Sequence, residues 1–170
     1  MEAAFRPARP DDSPAVARLR AALCEEDGLG PFDEPRTLTA LGRLVGDPEA
    51  GEVWVATAGA APGPGPEGGG GGPVGRDPIV AYLVLCWGYS LEFGGRDAFV
   101  DELYAIPGVR GQGIGTRLLD LAEDRCRARG VTALHLEVER ANTRAQDLYR
   151  RHGYFDHSRY LMTKRLGPDR

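Results

Sequence analysis

The chain has 170 residues, 42% of them hydrophobic, which is enough apolar material for the core of one domain, although no run approaches the ~20 apolar residues of a membrane helix. A formal net charge of -4 excludes the basic footprint that general nucleic-acid binding requires, so neither a nucleic acid nor a membrane is expected as partner. Cys24, Cys86 and Cys126 are widely spaced without a C-x-x-C, and His135, His152 and His157 lack i, i+4 spacing, so no disulfide framework, zinc site or other metal is implied.

The opening MEAAFRPARPDD has no apolar stretch like that of a signal peptide, and the expected compartment is the cytoplasm. Within it, AAFRPAR reads as a first strand. Ser13 stands before Pro14 at a cap and first helical position, and AVARLRAALCEEDG continues as a helix that stops at Gly28. A second helix is expected over Thr37–Val45. Two runs rich in β-branched and aromatic residues, EVWVAT (Glu52–Thr57) and IVAYLVLCW (Ile79–Trp87), read as an antiparallel pair. Between them GAAPGPGPEGGGGGPVGRDP, residues 59–78, has almost no large apolar groups to offset its ordering entropy and is expected to be a disordered loop inside a single domain spanning 1–170.

The strand-like run RDAFVDELYA then leads into VRGQGIGTRLLD, where three alternate glycines precede a helix from about Gly115 to Arg129, with Ile114, Leu118, Leu121 or Ala122, and Cys126 on one side. TALHLEVE alternates as a strand, Asn142 caps TRAQDLYRRH, and a last strand is expected over Tyr160–Arg165. The order is a mixed α/β sheet.

A helix start offers unpaired N–H groups and a partial positive charge, so the glycine turn is a candidate diphosphate cradle. It is not a Walker A loop, because the only lysine is Lys164, and Arg117 and Leu118 occupy the place of the third glycine of a dinucleotide fingerprint. What fits is R-x-x-G-x-G: Arg110, Gly113 and Gly115.

At these residues the sequence resembles the GNAT superfamily of N-acetyltransferases. DELYAIPGVRGQGIG is similar to the family's strand and turn, with Ala105 where valine is usual, and LEVERANTRAQDLYRRHGY is similar to its second half; FRPARPDD matches its habitual opening. The resemblance implies an α/β (α+β) fold: a GNAT-type mixed sheet, largely antiparallel with a splayed parallel pair at the acetyl-CoA site, flanked by about four helices. It implies acetyl-CoA as co-substrate, its diphosphate held by main-chain groups of Arg110, Gly111, Gln112, Gly113, Ile114, Gly115 and Thr116, with charge from Arg110 or Arg117. Leu103, Tyr104 and Ala105 would meet the pantetheine arm, and Asn142 would contact CoA as well as cap its helix.

An amine must lose a proton before it attacks, so a carboxylate is the natural general base. Asp101 and Glu102 stand on the strand feeding the turn, and regular alternation would aim only one of them at the acceptor. By resemblance Asp101 matches the polyamine-type branch and Glu137 the ribosomal-protein branch; for each, a solvated or ion-paired carboxylate is the rival reading. Tyr149 occupies the family's position for protonating the departing thiolate, a core tyrosine being the rival. The acceptor is a small amine, a polyamine-like molecule or a protein N-terminus or lysine. The acidic group Glu25, Glu26, Asp27, Asp33 and Glu34 either attracts such a cation or is a solvated surface. A non-catalytic acetyl-CoA-binding sensor or interaction domain is the competing class, and a homodimer is suggested by relatives of the fold alone.

Overall fold

In the computed structural model, which describes residues 2–59, 77–164 and 166, the chain runs β1 (Ala3–Pro7), α1 (Ser13–Asp27), α2 (Glu34–Gly46), β2 (Gly51–Ala58), β3 (Ile79–Ser90), β4 (Gly95–Ala105), α3 (Ile114–Ala128), β5 (Ala133–Leu136) and α4 (Thr143–Arg151). The strands lie in chain order, β1 to β4 antiparallel and β5 parallel to β4. The parallel pair needs a crossover, and α3 supplies it. Of the loop expected over 59–78, residues 60–76 lie outside the described residues, but the two strands that flank it do pair antiparallel.

Each face of the sheet carries its own core. Val16, Ala17, Leu23 and Leu41 of α1 and α2 pack with Val53, Val55, Tyr82, Val84 and Tyr104 of the strands. On the opposite face Ile114, Leu118, Leu119 and Ala122 of α3 pack on Leu83, Leu85 and Val100, with Leu148 and Tyr149 of α4 at the margin. On α3 it is therefore Ala122, with Leu119, that is buried, while Leu121 is only partly so.

Several boundaries differ from the sequence reading. A 3-10 turn over Pro10–Asp12 leads into α1, so Ser13 is its first helical residue and not its cap; Asp12 instead binds Arg6 (2.6 Å) and accepts the Arg9 N–H (2.7 Å). Helix α2 starts at Glu34, not Thr37, because Asp33 caps it by accepting the Arg36 N–H at 3.1 Å and Pro35 fits the first turn. Strand β5 is four residues long, since its partner turns away beyond Val100.

The strand expected over Tyr160–Arg165 does not form in its described part, 160–164. Ser158 takes a left-handed φ of 53°, and Arg159 is tied to Glu92 in the β3–β4 turn at 2.9 and 3.0 Å. That tether holds the chain beside the turn, where Tyr160 and Met162 stay exposed, and a β-prone sequence without a strand to pair with makes no ladder.

Candidate active site

The last rung joining β4 to β5 is Val100 with Leu136, yet β4 continues to Ala105. From residue 101 onward the two parallel strands part, and the β5-facing edge of Asp101 to Ala105 has no partner strand. A bulge sits at the same place. Val84 pairs with Glu102 and Leu85 with Val100, so Asp101 is an extra residue with no rung of its own. Glu137 is the first residue past the final rung on the other strand, exposed to solvent.

The bulge breaks the alternation expected for Asp101 and Glu102. Both carboxylates bear electrostatically on Cys86, whose thiol is pushed up to about 11 chiefly by burial, and both feel the Arg20 guanidinium. Their states differ. Glu102 is committed: Oε1 accepts from Arg20 Nε at 2.8 Å and Oε2 from the Tyr82 hydroxyl at 2.8 Å, while Arg20 also donates to Thr37 Oγ1 at 3.2 Å. Burial raises the Glu102 carboxyl above its ordinary value, against the pull of Tyr82 and Arg20.

Asp101 accepts no hydrogen bond among the described residues. The protein packed around it raises its carboxyl too, and Arg20 opposes the rise. The residue is nonetheless exposed, so its carboxylate still reaches solvent. On the same face, toward the β3–β4 turn, lies a cavity of about 110 Å³ lined by Cys86, Gly88, Asp97, Phe99 and His135 among others. The Asp97 carboxylate stands 3.6 Å from His135 Nε2 there, and a side chain on Gly88 would collide with it.

Past Ala105 a 3-10 turn, Pro107–Val109, leads to the glycines. Gly111 and Gly113 have φ of 81° and 82°, the left-handed region that side chains resist. The helix begins at Ile114, and the Arg117 N–H already bonds Gly113 O (3.0 Å), so the N–H groups of Ile114, Gly115 and Thr116 are those without a helical partner. A concave patch of amides at a helix start suits a diphosphate.

Of the two arginines expected at its edge, Arg117 is exposed on the first turn of α3. Arg110 is occupied: Nε donates to Ala105 O at 2.7 Å, Nη2 to Glu26 Oε2 at 2.6 Å, and the guanidinium lies over the Tyr104 ring. A further cation beside the turn is Arg144 of α4, whose Nη2 is 3.6 Å from where a Cβ on Gly111 would sit. Sequence reasoning missed Arg144; the arginine next to the Asn142 cap was the only local signal. Gln112 turns back to donate to Gly108 O (3.1 Å), and Asn142 accepts the Ala145 N–H (3.1 Å), as a cap should.

Tyr149 belongs to the α3–α4 face, with its ring edge-on to Tyr154 at 5.8 Å. Burial raises its phenol above the ordinary value, and so does Asp27 at the end of α1, on the other side of the sheet. The Tyr149 hydroxyl makes no hydrogen bond among the described residues, while its carbonyl accepts the N–H groups of His152 and Tyr154, each at 3.0 Å. The Tyr154 hydroxyl is buried without a partner. No group of three or more His, Cys, Asp or Glu among the described residues is arranged to hold a metal.

Residues 42–154, the stretch from α2 to the end of α4, match the model of the acetyltransferase (GNAT) family. The chain belongs to that family. It is 44% identical over 61 residues to mycothiol acetyltransferase of Beutenbergia cavernae, covering 34% of this chain and 20% of the relative. Over 78 residues it is 33% identical to thialysine N-epsilon-acetyltransferase of Bos taurus, 46% of this chain and 45% of that one. The matches therefore span less than half the length of either relative. Among solved structures, an integron cassette protein from the mobile metagenome of Cole Harbour Salt Marsh is similar with a TM-score of 0.76 at 28% identity, over 97% of this chain and 91% of that one. The match runs through both halves of the site, from the carboxylates of β4 to Tyr149 of α4. No helix among the described residues is long and apolar enough to cross a membrane.

Proposed function

We propose that the chain transfers an acetyl group from acetyl-CoA to a small primary amine. The observation that carries this reading is the parted strand pair: an uncommitted Asp101 stands at its start, Tyr149 packs against the same α3-face cluster as Leu103 and Leu136 of the two strands, and the amides of Ile114 to Thr116 lie beyond its far end. The free edge of Leu103, Tyr104 and Ala105 would hold the pantetheine arm as an added strand would be held. The diphosphate would rest on the amides of Gly111 to Thr116, with Arg144 as its counter-charge.

Asp101 is the general base in this reading, in preference to Glu102, whose two oxygens are both engaged, and to Glu137, which follows β5 beyond the last rung rather than standing on the strand that leads to the glycine turn. A carboxyl lifted by its surroundings is better matched to proton abstraction near neutrality than an ordinary one. Asp101, directly or through water, takes a proton from the ammonium. The free amine attacks the thioester carbonyl, so that a C–N bond forms and the C–S bond breaks. The sulfur leaves as a thiolate and takes the Tyr149 proton, and the proton shed by the new amide nitrogen restores the phenol. Asp101 returns its own proton to solvent.

For the acceptor, a small amine is favoured over a protein terminus on the amine-bearing substrate named for the thialysine relative. The test is acetyl-CoA-dependent thiol release across a panel of small amines, repeated with Tyr149→Phe. Turnover of at least one amine is expected, with kcat lower by about a hundredfold in the variant and CoA affinity nearly unchanged. CoA binding without turnover of any amine would leave the sensor reading in its place.

A further inference from the structure

Glu26 stands where local physics disfavours it. It lies in the last turn of α1, which carries Glu25, Glu26 and Asp27 and no basic residue, although the C-terminal end of a helix favours cations. A residue that runs against its own helix is expected to gain something elsewhere in the fold. Here the gain is visible: Glu26 Oε1 accepts from the Tyr104 hydroxyl at 2.6 Å and Oε2 from Arg110 Nη2 at 2.6 Å.

Arg110 is thereby fixed on three sides, by Glu26, by the face of Tyr104 at 5.3 Å, and by Ala105 O, which accepts from its Nε at 2.7 Å. The last bond closes the loop from the end of β4 to the residue before Gly111. Glycine-rich backbone is intrinsically loose, and within Gly111–Gln112–Gly113 the bracing is one exposed side-chain bond, Gln112 Nε2 to Gly108 O at 3.1 Å. Further order comes from its edge.

We infer that Glu26 is a positioning residue for the coenzyme: by pinning Arg110 against Tyr104 and Ala105 it holds the glycine turn ready for the diphosphate, and it ties helix α1 to coenzyme binding. This rests on the acetyl-CoA reading given above. Ordering the turn in advance removes a cost that binding would otherwise carry. The opposite outcome is also physically open, because Arg110 released from Glu26 could swing to the diphosphate and strengthen binding, and the experiment distinguishes the two.

CoA binding is measured by calorimetry for the wild type, Glu26→Gln, Tyr104→Phe and the neighbouring control Glu25→Gln, well below their melting temperatures. Pantetheine, which lacks the diphosphate, is titrated by NMR. Glu26→Gln keeps the shape and removes the charge, and its CoA affinity is expected to fall about tenfold, the scale of one charge-assisted hydrogen bond in a half-exposed setting. Tyr104→Phe should lose less CoA affinity and Glu25→Gln none, and pantetheine binding should be equal in the wild type, Glu26→Gln and Glu25→Gln. Equal or tighter CoA binding by Glu26→Gln overturns the inference, as does a loss shared by pantetheine, which would mean general loosening. A wild type that does not bind CoA would overturn the acetyl-CoA reading itself.

Discussion

Replacing Arg20 by methionine separates the roles of the two β4 carboxylates. Methionine keeps the apolar stem on α1 and removes the guanidinium, leaving Glu102 with the Tyr82 hydroxyl alone and Thr37 without its donor. A charge-assisted hydrogen bond contributes about 1.5–3 kcal/mol. Arg20 is 32% exposed and Glu102 15%, so solvent screening reduces this to about 1–2 kcal/mol, or roughly 2–8 °C in Tm for a chain of this size. The pH dependence follows from sign. In the fold Asp101 and Glu102 both titrate above their ordinary values because burial disfavours their charge, and Arg20 counteracts this. Folding therefore favours their protonated forms, and their ionisation lowers stability as pH rises from the ordinary carboxylate range through the raised values. Without Arg20 that loss is larger, so the Tm difference between wild type and Arg20→Met should be greatest at neutral pH and shrink in acid. The acid limb of kcat/KM, where Asp101 must be ionised to accept a proton, should move to higher pH in Arg20→Met and vanish in Asp101→Asn. Thermal melts across pH and a pH–rate profile measure both. An acid limb in the same place for Arg20→Met and wild type would refute Asp101 as the base.

Other outcomes are expected at the turn and the cap. Gly113→Ala forces a side chain to φ of 82° with nothing within 4 Å of its Cβ, so the cost is backbone strain of about 1 kcal/mol, read as a small drop in Tm; CoA affinity should fall further because the turn leaves its binding shape. Asn142→Ala removes the acceptor for the Ala145 N–H and should cost about 1 kcal/mol by chemical denaturation, with Asn142→Asp retaining most of the stability.

How much of this was legible in the sequence depends on how local each cause is. The glycine turn, the helix it opens and the Asn142 cap were readable because their determinants lie within a few residues of one another. The start of α2 is equally local, since Asp33 and Pro35 announce it; within the acidic group, for which both a cation-attracting and a solvated role were open, Asp33 caps that helix and Glu26 pairs with Arg110. The bulge at Asp101 was not readable: its cause is the register against Val84 and Leu85, to which nothing in VDEL points. The pairs Arg20 with Glu102 and Glu26 with Arg110 lie 82 and 84 residues apart, and each joins charges that are individually unremarkable. The expected last strand failed for the converse reason, a suitable composition with no strand alongside it.

The bulge has a consequence for how freely the chemistry of this sheet can change. Every other residue from Gly95 to Ala105 has a cross-strand neighbour on β3, but the ladder passes Asp101 by, and its rungs close on either side whatever stands there. The carboxylate assigned the proton transfer is thus supernumerary to the architecture, and a chain lacking that one position would retain the same pairings in a regular strand. Acquiring, exchanging or discarding the reactive group requires no renegotiation of the fold around it.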